Sequence, residues 1–244
     1  MTPLVFLHGV GGGHDAWRHQ LADFAKLGYR CLAWDQPGYG GSPGVEPYDL
    51  ARISQALKQY VEPHAPVVLI GHSMGGFIAQ EIYARFPGLV RALALCFTSP
   101  AFGGGTAFAH QFIAARIGPL DEGKTMAEVA ARIMPTMRGA RSDPQGLALA
   151  ERTMAQIPPD TYRKAVKLLT SFDRRADLAR IRVPTLLIAG SDDTTAPAKV
   201  MRKMAQAIPG AEYVELEGCG HLGPMDQPEA FNRTLRDFLQ RHSL

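Results

Sequence analysis

The chain is poor in everything that marks a crosslinked, fibrous or charge-driven protein. Three cysteines in 244 residues, Cys31, Cys96 and Cys219, stand too far apart for a disulfide framework or a CxxC metal site. They are read as buried thiols in a reducing compartment, which makes the cytoplasm the expected location. No run approaches the roughly 20 apolar residues that cross a bilayer, and Met1 leads directly into Leu4-Val5-Phe6-Leu7-His8-Gly9 without a basic, signal-like stretch. No membrane association is expected. Charge of one sign is equally scarce: 26 basic and 23 acidic residues are spread along the length, with no basic block interleaved with aromatics. No nucleic acid partner is expected. Glycine and proline punctuate the chain without a period, which excludes collagen-like and solenoid repeats.

What is present is a globular composition, 46% hydrophobic and 20% charged, in a length suited to one domain with an insertion. Short branched apolar runs alternate with segments of helical period. Strands are predicted over 4–7, 31–34, 67–70, 92–96, 185–189 and 213–216. Helices are predicted over 17–27, 49–61, 74–86, 199–208 and 228–241. Such alternation builds a parallel sheet flanked by helices. Residues 103–180 break the pattern with helical periodicity and no strand. Pro119, Pro135, Pro144 and the Pro158-Pro159 pair are expected to divide them into about four helices. The expected organisation is a core of 1–102 and 181–244 with a helical lid, 103–180, inserted after the fourth strand.

The segment Val67-Val68-Leu69-Ile70-Gly71-His72-Ser73-Met74-Gly75-Gly76 carries a GxSxG pattern between a strand and a helix. Glycines flanking a tight turn let Ser73 stand above the sheet, with a helix N-terminus beside its hydroxyl. A serine needs a base, and the base an orienting carboxylate. Both follow in the chain order Ser, Asp, His: Asp192-Asp193 after one strand and Gly218-Cys219-Gly220-His221 after the last. Asp193 is preferred as the acid and Asp192 is read as a turn or cap residue. The candidate catalytic set is Ser73, Asp193 and His221. The glycine-rich turn His8-Gly9-Val10-Gly11-Gly12-Gly13 offers a second oxyanion amide, from Val10 or Gly11, beside that of Met74. It lacks the GxGxxG or Lys-Ser/Thr of a phosphate loop. His8 reads as a structural hydrogen-bonding residue, and no metal-ligand spacing is present.

With these residues the chain resembles the α/β-hydrolase fold superfamily over essentially its full length, in its serine hydrolase branch. The Asp35-Gln36-Pro37-Gly38-Tyr39-Gly40-Gly41-Ser42 segment looks like the family's Asp-x-x-Gly-x-Gly-x-Ser turn, whose Asp is structural. The stretches 98–103 and 116–124 look like the lidded 3-oxoadipate enol-lactonase-like hydrolases. The resemblance implies hydrolysis of a small ester or (enol-)lactone through an acyl-serine, with no cofactor and no metal. A serine at the elbow argues against the dehalogenases and epoxide hydrolases of this fold, which use aspartate there. Against the family's usual eight strands, the chain begins at the third. A six-stranded, wholly parallel sheet without the N-terminal hairpin is therefore expected, with a homodimer as one way of covering the edge.

Gly9, His72, Phe102, Arg116 and Leu222 are expected to line the substrate site. Arg116, Arg132, Arg138 and Arg141 are candidates for a substrate carboxylate, although solvated helix faces account for them as well. Two other readings stay open: a carbon–carbon bond hydrolase of ring-fission products, and a hydrolase-fold ligand receptor. Fast turnover of dienol-diketone acids would mark the first, and a ligand-dependent partner the second.

Overall fold

The structure, a computed structural model, describes all 244 residues. Six strands, β1 (Leu4–Leu7), β2 (Cys31–Trp34), β3 (Val67–His72), β4 (Val90–Cys96), β5 (Thr185–Gly190) and β6 (Glu212–Leu216), form one sheet in the order β2-β1-β3-β4-β5-β6. Every pairing is parallel. The hairpin-less, six-stranded sheet is as expected. Consecutive residues of β1, β3 and β5 are all buried, so both faces of the sheet are covered, as parallel sheets require. The partly exposed β2 and β6 close its edges.

The coverings are α1 (Arg18–Lys26), which packs with the short α9 (Gly223–Asp226) and with α10 (Pro228–Arg241), and α2 (Leu50–Val61), which packs with α3 (Met74–Arg85); α8 (Ala198–Ala207) lies on β5 and β6. Their starts are legible chemically. The Asp49 carboxylate accepts from the Arg52 amide at 2.8 Å and caps α2. On the α1 side, fully buried Trp17 sits between Phe6 and Phe231, ring centroids 5.1 and 6.2 Å away, joining β1 to α10.

Between β4 and β5 lie four α-helices, α4 (Gly105–Asp121), α5 (Met126–Ile133), α6 (Pro144–Ala155) and α7 (Pro159–Leu169). Thr125 and Glu128 form a reciprocal capping box at α5. Pro144 and Pro159 open α6 and α7 at their first position, where the missing N–H costs nothing. Pro119 does not divide helices as expected; it sits in the last turn of α4, and the break falls at Glu122-Gly123, where Gly123 has φ +86°.

The chain runs from β1 outward to β2, then returns past β1 to β3 and onward to β6. Strand order therefore reverses between β1 and β3, the place where a crevice opens beyond the carboxyl ends of the strands. The turn after β1 and the turn after β3 both empty into it.

The β3–α3 turn tolerates no side chain where its glycines stand. A Cβ on Gly75 would overlap the Leu7 carbonyl oxygen of β1, and one on Gly71 would lie 2.5 Å from the Gly75 oxygen. Gly75→Ala is expected to destabilise by about 1–3 kcal/mol through forced displacement of α3. Gly118→Ala in α4, where nothing lies within 4 Å of the added carbon, should instead stabilise by up to about 1 kcal/mol. Urea midpoints of the two variants against the parent chain measure both.

Candidate active site

Ser73 follows β3 with φ +55° and ψ −117°, a backbone that L-residues rarely adopt. Three hydrogen bonds hold it there: Ser73 N–H to the Cys96 carbonyl at 3.0 Å, Thr98 Oγ1–H to the Ser73 carbonyl at 2.8 Å, and Gly76 N–H to the same oxygen at 2.9 Å. The result lifts Oγ off the sheet at the N-terminus of α3.

His221 comes from the loop after β6 and Asp193 from the loop after β5. The Ser73 hydroxyl lies 3.0 Å from His221 Nε2, and His221 Nδ1 lies 2.8 Å from Asp193 Oδ2. The other Asp193 oxygen accepts the Thr195 and Ala196 amides at 2.8 and 2.9 Å. Burial pushes the Asp193 carboxyl up, but His221 and these amides outweigh it and leave the group below the usual carboxylate range. A carboxylate so held accepts from Nδ1–H, which leaves Nε2 free to accept the serine proton. Asp192, the rejected candidate, faces the helical segment and accepts from the Ala140 amide at 2.8 Å. The structure thus brings Ser73, Asp193 and His221 together and leaves Asp192 out.

Two backbone amides beside Ser73 are unpaired. Met74 opens α3, so its N–H has no helical partner, and the Val10 N–H is unbonded as well. The Val10 turn is held by Tyr39 Oη–H, which donates to the Val10 carbonyl at 3.0 Å, and by Gly12 N–H to Gly9 O at 3.0 Å. His8 lies buried beneath it. Its Nε2 accepts from the Gln36 amide at 3.2 Å, so the proton is on Nδ1, 2.8 Å from the Gly9 oxygen. Asp35 accepts the His14 amide at 2.8 Å and sits against Gly40, away from Ser73.

A cavity of about 270 Å³ opens on Ser73 and His221. Phe102 and Arg116 line it. Gly9, His72 and Leu222 do not; they border a second space of about 30 Å³ on the other side of the serine, room for about two waters. His72 is a correction with a clear cause. Its Nε2–H donates to the His221 carbonyl at 2.7 Å, and its ring is wedged among Trp17, Phe97 and His221. It holds the histidine loop and presents no polar atom to the main cavity. No group of three or more His, Cys, Asp or Glu side chains is arranged to hold a metal ion.

Sequence reasoning missed several residues. Phe97, at φ +49°, and Thr98 floor the cavity after β4, and Phe77 stacks on Phe172 at 4.1 Å. No local signal marks a phenylalanine for a left-handed backbone. Also missed was a clamp on the histidine loop. His221 N–H donates to Met137 O at 2.8 Å, Arg141 N–H to Gly218 O at 2.9 Å and Asp143 N–H to Asp226 O at 3.2 Å, while the Ser142 hydroxyl bonds the buried Asp226 carboxyl. Burial pushes that carboxyl up, with Ser142 opposing.

A strained serine turn, a buried Ser–His–Asp chain and two unpaired amides thus lie together at the reversal point of a parallel sheet. A profile of the alpha/beta hydrolase family matches residues 4–234, and the chain belongs to that family as a hydrolase enzyme. It is 30% identical over 243 residues to the pimeloyl-acyl-carrier-protein methyl ester esterase of Chromobacterium violaceum, spanning 97% of this chain and 94% of that one. The crystal structure of the enol-lactonase from Burkholderia xenovorans LB400 superposes with a TM-score of 0.87 at 27% identity, over 98% of this chain and 92% of that one. The esterase EaEST of Exiguobacterium antarcticum shares the fold, with a TM-score of 0.89 at 22% identity over 98% and 92% of the two chains. No helix is long and apolar enough to cross a membrane.

Burial lowers His8 to about 4 and His72 to about 3, below an unfolded value near 6.5. Between about pH 6.5 and 4 the unfolded chain therefore binds more protons, and stability falls as pH falls through that window. Each histidine contributes a slope of about 1 kcal/mol per pH unit. Asp226, with its raised carboxyl, opposes this at the acid end. Unfolding midpoints from pH 7 to pH 4.5 should drop accordingly, and His72→Asn should flatten the curve by one proton's slope; a flat parent curve would refute the assignment.

Proposed function

We propose that the chain is a serine hydrolase that cleaves a carboxylic ester or an (enol-)lactone of a small substrate through an acyl-serine intermediate. The observation that carries this reading is the continuous hydrogen-bonded path Ser73 Oγ, His221 Nε2, His221 Nδ1, Asp193 Oδ2, at 3.0 and 2.8 Å, opening on a cavity. In this reading Ser73 attacks the carbonyl as His221 takes its proton, and Asp193 keeps the imidazole in the accepting tautomer and stabilises the imidazolium. The Met74 and Val10 amides receive the oxyanion. His221 then returns the proton to the leaving alcohol, and water repeats the sequence on the acyl-serine to release the acid. An enol-lactonase and a methyl ester esterase stand among the similar proteins, and both names describe hydrolysis at an acyl carbon bearing oxygen. The three cysteines are unpaired, which supports a cytoplasmic setting.

Fluorophosphonate labelling read by intact mass, beside a p-nitrophenyl ester series, tests the reading. One adduct on the parent chain and none on Ser73→Ala is expected, with ester turnover falling by about 10⁴-fold or more in Ser73→Ala and His221→Ala. Asp193→Asn should cost a similar factor through the wrong tautomer. Undiminished turnover in Ser73→Ala would overturn the proposal.

A further inference from the structure

The small space on the Val10 side of Ser73 differs from the main cavity in the chemistry of its wall. The apolar wall of the main cavity is largely phenylalanine and holds no methionine, whereas Met134, Met137 and Met225 all line the space of about 30 Å³. Two come from the helical turn Met134–Met137 and one from α9, so three thioethers from separate segments meet beside the unbonded Val10 N–H. Acyl transfer uses none of them. Deeper in the core the sulfurs are shut in: Met201 is fully buried and its Sδ already accepts from Thr98 N–H at 3.3 Å, and Met74 and Met204 are almost as deep.

A thioether is a nucleophile that needs no deprotonation, unlike a thiol. That difference matters in this chain. Burial pushes the Cys96 and Cys219 thiols up and raises Cys31 to about 11, so little thiolate forms near neutrality. Met134, Met137 and Met225 are only 4%, 8% and 4% exposed, yet their space shares Ser73 and His221 with the open main cavity. A reagent that reaches the serine therefore reaches the thioethers, provided that it is as small as the space. Room for about two waters is also room for one hydrogen peroxide, a molecule of two heavy atoms.

We propose that this space is an oxidation site, in which hydrogen peroxide converts a thioether of the Met134, Met137 and Met225 cluster to a sulfoxide that occupies the Val10 amide. The sulfur lone pair attacks one peroxide oxygen, and the S–O bond forms as the O–O bond breaks. The departing hydroxide takes the proton of the transferred oxygen and leaves as water. Sulfur is oxidised by two electrons and the peroxide is reduced by two. The product exchanges a weak thioether acceptor for a strong oxygen acceptor. In so small a space the new oxygen takes the bond of the Val10 N–H, and the carbonyl of an ester no longer can. Reduction of the sulfoxide empties the space again, so the device is reversible. The loss of turnover rests on the serine hydrolase reading above; the oxidation itself does not.

For the test, hydrogen peroxide in excess is added to the folded parent chain, to a Met134→Leu, Met137→Leu, Met225→Leu triple variant and to Ser73→Ala, and peptide masses locate each added oxygen as it appears. Exposed Met1 and the three cluster residues should gain oxygen before Met74, Met201 and Met204. Met126, as buried as Met134 and Met225 but off this space, controls for burial alone and should lag behind them. In the parent, p-nitrophenyl acetate turnover should fall about 100-fold, the scale of one oxyanion donor, in step with sulfoxide in the cluster, and the Val10 amide proton resonance should move. Each treated protein is compared with its own untreated sample, and the leucine variant should keep its turnover. Methionine sulfoxide reductase should restore the parent, and dithiothreitol alone should not. Cluster residues that oxidise no faster than Met126 overturn the proposal, as does equal inactivation of the leucine variant. If the untreated parent turns over no ester, the hydrolase reading falls alone; the mass map and the Val10 resonance, read on Ser73→Ala as well, then decide the oxidation site.

Discussion

The close approach of α3 to β1 at Gly75 governs the rest of the molecule. Without a Cβ at that position the first turn of α3 lies against the Leu7 carbonyl, and only then does the chain leave β3 sharply enough to force Ser73 to φ +55°. Backbone in that region costs on the order of 1–3 kcal/mol and persists only where its surroundings over-determine it. The surroundings here are a parallel sheet buried on both faces and three hydrogen bonds from Cys96, Thr98 and Gly76. The same contact sets the start of α3 against the end of β1 and the turn that follows it, so one steric fact brings Ser73 and the Val10 turn to the same edge of the sheet.

Electrostatics then divides the histidines by what surrounds them. His8 and His72 have no carboxylate bonded to them; burial keeps them neutral and each becomes a fixed hydrogen-bonding strut, one under the Val10 turn and one under the His221 backbone. His221 is nearly as buried yet is hydrogen-bonded to Asp193, whose charge is secured by two backbone amides. Of the three buried imidazoles it alone has a carboxylate within hydrogen-bonding distance.

Much of this is legible in the sequence because it depends on local pattern. The β-α alternation gives the parallel sheet, and GxSxG between a branched strand and a helix gives the elbow. The order Ser, Asp, His falls on loops that topology must bring to one edge. Asp193 could be preferred over Asp192, but only folding shows why: the Asp193 side chain turns inward onto Thr195, Ala196 and His221, while Asp192 turns out to Ala140. What stayed hidden depends on contacts between distant segments. Nothing near Phe97 announces its backbone, and His72 looked substrate-facing because its partner, the His221 carbonyl, lies 149 residues away. Asp226 and Ser142 are ordinary polar residues until α6 is laid against the loop after β6.

That last contact changes what the inserted helices are. Between Met137 and Asp143 they contribute a carbonyl to His221, amides to Asp192, Gly218 and Asp226, and a hydroxyl to the buried Asp226 carboxyl. A Cβ on Gly139 would overlap the Gly218 oxygen, and one on Gly220 would overlap the Met137 oxygen, so backbone lies on backbone without intervening side chains. Bonds of this kind, each worth about 1 kcal/mol net, act together when they join the same two segments. The histidine loop therefore owes its position to two separate supports, His72 from the sheet side and Met137–Asp143 from the helical side. Substitutions in that stretch act on His221 as directly as substitutions in the loop itself, whereas those in α4 act on the cavity wall. The segment between β4 and β5 is in this sense two things, a scaffold for His221 at one end and a cavity wall carrying Phe102, Phe112 and Arg116 at the other.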